Sequence, residues 1–84
     1  MKIEREVHGV PLWLMHDYLV ESGGDALSVS EVAGEGWKAH FVRIEDFRIG
    51  SLAIGRARLT IEGEDAAVEQ LMAQMEMKLI RGGG

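Results

Sequence analysis

The chain has 84 residues, 46% of them hydrophobic and 27% charged, with no cysteine and a formal net charge of −5. That length holds one modest core, so a single domain over residues 1–84 is expected, and the composition is globular rather than disordered. Disulfides, thiolate metal sites and a cysteine nucleophile are excluded, and the acidic balance argues against the whole molecule binding nucleic acid.

No apolar run approaches the roughly 20 residues that span a bilayer, so no membrane partner is expected. The first residues, MKIEREVHG, alternate charged and apolar side chains and are no signal peptide, which makes a soluble cytoplasmic protein the expectation. The chain has no Asn and two Gln, a thermophile-like composition. So small a core gains from self-association, and a homo-oligomer, at its simplest a dimer, is expected.

In chain order, residues 2–7 (KIEREV) alternate as a half-buried strand with Ile3 and Val7 inward and Arg5 as the inward exception. His8-Gly9 breaks it. A helix over about residues 11–22 follows, with Pro11 suited to the first helical position and Leu12, Met15 and Leu19 on one face. Gly23-Gly24 ends that helix. Residues 26–33 (ALSVSEVA) read as one strand, and Gly34-Glu35-Gly36 turns into a long hairpin, Trp37–Glu62, with Gly50-Ser51 at its tip as a type II′ turn.

Counting outward from that turn pairs Ile49 with Leu52, Phe47 with Ile54, Glu45 with Arg56, Arg43 with Arg58 and Phe41 with Thr60 on one face. The other face pairs Ile44 with Ala57, Val42 with Leu59 and His40 with Ile61, an aliphatic set suited to a cover of helices. Gly55, opposite Asp46, marks a possible bulge. Between Trp37 and Arg58 five bases stand against two acids, a local +3 that leaves −8 for the rest of the chain.

Gly63-Glu64-Asp65 opens the last helix, in which Val68, Leu71, Met72, Met75 and Leu79 recur at helical spacing. A competing reading makes residues 76–81 a strand. The order is therefore β-α-β-β-β-α, an α+β fold with an antiparallel curved sheet and two helices on one face. It resembles the TBP-like plan, or a ferredoxin-like variant if residues 76–81 form a strand.

HGVPLW, RIGSLAIGRARLTIEG and the terminal RGGG together resemble a small bacterial domain family found in proteins related to the sulfur carrier MoaD. The resemblance covers most of the chain. It implies a fold and a genomic neighbourhood and carries no activity with it.

Catalytic and metal chemistry have little to work with. His8, His16 and His40 are scattered, without the i, i+4 pair that places two imidazoles on one helix face. Ser22, Ser28, Ser30 and Ser51 have no base nearby in sequence and no nucleophile elbow. No catalytic, cofactor or metal residue is assigned, no cofactor is expected, and the reading is of a non-enzymatic protein.

Two features remain. The tail Arg81-Gly82-Gly83-Gly84 resembles that of ubiquitin-like sulfur carriers, whose exposed Gly-Gly carboxylate is adenylated and converted to a thiocarboxylate. On that resemblance Gly83 and Gly84 would form the carrier terminus. Those carriers open with a β-hairpin before the main helix, whereas here a helix follows the first strand. The second feature is the open hairpin face, where Phe41, Arg43, Phe47, Ile54, Arg56 and Arg58 combine aromatics with arginines as interface hot spots do. The leading expectation is an accessory or binding module that self-associates through this face or holds an unidentified protein partner. The alternatives are the carrier and a weak nucleic-acid or anion-binding module.

Overall fold

The computed structural model describes residues 1–83, with side-chain surroundings described as far as Ile80. Seven elements follow in order: β1 (Lys2–His8), α1 (Leu12–Glu21), β2 (Asp25–Ser28), β3 (Glu31–Gly34), β4 (Trp37–Ile49), β5 (Leu52–Gly63) and α2 (Asp65–Gly83). The five strands form one antiparallel sheet in the order β1-β5-β4-β3-β2, and the two helices complete the α+β fold.

Each helix forms where its apolar stripe meets the sheet. Met15 and Leu19 of α1 are fully buried, with Leu12, Leu14 and Tyr18 against the same core. Pro11 occupies the N-cap rather than the first helical turn, and its carbonyl accepts the Leu14 and Met15 amides at 3.1 Å. Along α2, Val68, Leu71, Met72 and Met75 are buried and Leu79 packs against them. Residues 76–81 continue this helix and form no strand, because the 3.6-residue stripe keeps Leu79 on the core while Met77 and Ile80 face outward.

The segment 26–33 is two strands, not one. Val29 and Ser30 make a tight turn, in which the Ser30 amide donates to Ser28 Oγ at 3.2 Å and Val29 is left 88% exposed. The Ser28 side chain satisfies the turn backbone locally, so β-branched alternation is overridden.

The larger departure lies in the long hairpin. The tip is as read, with Ile49 opposite Leu52 and Phe47 opposite Ile54; Gly50 has φ +59°, which the first central position of a type II′ turn requires. Between Phe47 and Ile44 the register shifts, so that Glu45 and Asp46 oppose the single residue Gly55. Below this bulge Ile44 faces Arg56, Val42 faces Arg58, Phe41 faces Leu59 and His40 faces Thr60. One extra residue exchanges the two faces of β4 while leaving β5 as it was.

The consequence for the core is direct. Trp37, Ala39 and Phe41 turn inward beside Ala57, Leu59 and Ile61, and Phe41 is the largest fully buried side chain. His40 and Val42, expected under the helices, are exposed on the opposite face, and Ile44 stands with them. Val7 of β1 joins the core opposite Ala57, and Arg5, two residues earlier, donates from Nη2 to Glu76 Oε1 of α2 at 3.0 Å. No described helix is long and apolar enough to cross a membrane.

Candidate interaction surface

The helix-free face of the sheet is built from alternate residues of β1, β5 and β4. Cross-strand rows place Glu6 beside Arg58 and Val42, then His8 beside Arg56 and Ile44, then Phe47 beside Ile54 and Ile49 beside Leu52. Four of the six residues read from the sequence as a surface do gather here: Phe47, Ile54, Arg56 and Arg58. Phe41 does not, because the bulge buries it. Arg43 does not either: it lies opposite Ala57 on the helix side, where it lines a cleft of about 280 Å³ with Pro11 and Leu12 at the start of α1. Its Nη2 is 3.1 Å from Asp46 Oδ1.

Arg56 organises the charged part of the open face. Its Nε donates to the backbone carbonyl of Glu45 at 2.6 Å, which fastens the bulge, and its Nη1 donates to Glu6 Oε1. His8 Nε2 lies 3.5 Å from the same Glu6 oxygen, and the His8 ring stacks on Phe47 with centroids 5.8 Å apart. Sequence reasoning missed Glu6, His8, Val42 and Ile44 as members of this face. The two residues of β1 were invisible because nothing in the sequence said that β1 would lie beside β5.

The hydrogen bond from Arg56 holds the Glu6 carboxyl below the ordinary carboxylate range, aided by the charges of Arg56 and His8 and opposed by desolvation. Because the folded value is depressed, the contact's contribution to stability is complete above the ordinary glutamate value. It is lost as pH falls through the lower folded value. In a carboxyl NMR titration the Glu6 midpoint should lie below the ordinary glutamate value, and Arg56→Met should raise it. A midpoint that ignores the substitution would remove Arg56 as the cause.

Among the described residues no group of three or more His, Asp or Glu side chains is placed to hold a metal ion. Of the tail residues, Gly83 is the last residue of α2, and Gly84 lies outside the described residues. α2 thus continues into the glycine run, and α1 follows β1 directly, as read from the sequence.

A search of curated proteins finds no match. A family model described as archaeal MoaD-like protein matches residues 3–84. The MoaD relation expected from HGVPLW, RIGSLAIGRARLTIEG and RGGG is therefore shown, while the family is described as archaeal and not bacterial. With almost the whole chain inside the match, this protein belongs to the archaeal MoaD-like family.

Proposed function

We propose that the protein is a sulfur-carrier-like protein that presents Gly83-Gly84 to an activating enzyme and performs no catalysis of its own. The observation that carries this reading is the family match over residues 3–84, which includes the RGGG run. Glycine suits the role because a tail without side chains can thread a narrow active-site channel by backbone alone. A cytoplasmic setting accords with the cysteine-free chain.

In this reading the Gly84 carboxylate attacks the α-phosphate of ATP, giving an acyl adenylate and releasing pyrophosphate. The terminal sulfur of a persulfide on the partner enzyme then displaces AMP to give an acyl disulfide, and a thiol cleaves its S–S bond, leaving as a disulfide and releasing the Gly84 thiocarboxylate. The folded body serves as the handle by which the enzyme holds the tail. Intact-mass analysis of the chain ending at Gly84, after incubation with ATP, an adenylating enzyme, a persulfide donor and a thiol reductant, tests it. The expected product is the thiocarboxylate, absent when Gly83 and Gly84 are deleted. An unchanged mass in the wild-type chain would overturn the reading.

A further inference from the structure

β4 and β5 outrun the rest of the sheet. β1 ends at His8 opposite Arg56, and β3 begins at Glu31 opposite His40, so residues 45–55 form a two-stranded arm with no third strand on either edge. Thirteen residues of β4 at about 3.3 Å each span ~43 Å, and the molecule's longest dimension is 42 Å. A lone two-stranded ribbon is marginal in water unless its apolar face is covered.

This arm has such a face. Phe47 and Ile54 are directly paired, as are Ile49 and Leu52, and the strip continues through Ile44 to Val42. Ile49 and Leu52 are each 59% exposed and Phe47 40%. The aromatic stacking of His8 on Phe47 covers part of one side chain and leaves the tip bare. A contiguous apolar strip on a projecting element, rimmed by charge, is the composition of a contact surface.

The rim tells which surface fits. At the root of the strip Glu6, Glu45, Arg56 and Arg58 line a cleft of about 310 Å³, two acids against two bases. A polyanion meets two carboxylates there and a basic partner meets two arginines. A second copy turned by a two-fold axis presents the same set and can lay acid against base at both ends, as an isologous interface requires. Elsewhere the net charge of −5 repels a second copy, which leaves this locally neutral face as the approach.

We infer that the apolar face of the arm is an interface between two copies of this chain, with Phe47, Ile49, Leu52 and Ile54 of each covering those of the other. The arm alone offers less than the about 800 Å² per partner of a standard stable interface, so the dimer dissociates on dilution.

Sedimentation equilibrium from about 10 μM to 1 mM tests the inference. The wild-type mass should rise toward twice the 9.3 kDa of one chain. The double variant Ile49→Glu, Leu52→Glu should lose roughly 100-fold or more in association constant, with far-UV circular dichroism unchanged because neither residue belongs to the core. Val29→Glu, which places a charge at the still more exposed β2–β3 turn, should behave as wild type. A wild-type chain that stays monomeric up to 1 mM, whatever else binds the arm, overturns the inference. So does a double variant that associates as tightly as wild type.

Discussion

Phe41→Ala should destabilise the protein by about 3–5 kcal/mol, the usual result of emptying a buried phenylalanine site. Phe41 has no exposed surface and sits among Leu59, Ala57 and the buried faces of both helices, while the His16 ring lies steeply inclined to it with centroids 6.2 Å apart. A domain of this size has only about 5–15 kcal/mol to lose, so the variant would be marginal or unfolded at room temperature. Phe47→Ala is the matched comparison. Its ring is 40% exposed on the open face and paired across the strands with Ile54, a contact worth about 0.2–1 kcal/mol. Denaturant titrations of the two variants therefore test the bulge itself. Equal losses would mean that β4 presents its faces as simple counting from the turn predicts. The comparison also separates folding from association, since Phe47→Ala should weaken the dimer while leaving the midpoint of unfolding nearly unchanged.

What made Phe41 illegible was a single residue. From the tip the hairpin counts correctly as far as Phe47 and Ile54, because the two-residue turn fixes that register. Glu45 and Asp46 then share one partner, and every β4 residue below them points the other way. Gly55 is the signal, and reading it as the mark of a bulge holds, but counting outward from the turn carries no extra residue into the register below it. The charge pattern carried the same hint, because placing Arg43 opposite Arg58 sets like charges side by side, which is unfavourable on a sheet. The observed register instead puts Arg58 next to Glu6 of β1 and Arg43 near Asp46. The faces of β5, α1 and α2 were legible because each presents an unbroken period of two or 3.6. The neighbour of β1 was not, since long-range strand pairing has no local signature. The candidate surface was thus half legible: its β5 members and Phe47 came from counting, and its β1 members came only from topology.

Gly63→Ala is expected to cost about as much as a mid-sized core truncation, though Gly63 lies at the surface. Its φ of +154° belongs to a region that residues with a side chain rarely enter. A Cβ added there would overlap the Gly36 carbonyl oxygen and come within 2.7 Å of Trp37 Cα, both of them backbone atoms that no rotamer change can move aside. The same Gly36 oxygen accepts the Glu64 amide at 2.8 Å, one residue before α2 begins. Gly63 also closes the β4–β5 ladder opposite Trp37. An alanine must therefore either displace the start of β4 or rotate out of the ladder and lengthen the Glu64–Gly36 bond. The conformational strain is worth about 1–3 kcal/mol, and the weakened hydrogen bond adds about 1 kcal/mol. Gly50→Ala provides the control: its φ is also positive, at +59°, but a Cβ there meets nothing within 4 Å. That variant should lose only the conformational part, about 1–2 kcal/mol. Thermal unfolding resolves the pair, because each kcal/mol moves the midpoint of so small a domain by about 4–8 °C. If Gly63→Ala melts no lower than Gly50→Ala, the crowding at Gly36 has no energetic weight. If it melts lower and its α2 amides exchange faster, Gly63 is the joint that sets where α2, and with it the glycine tail, leaves the sheet.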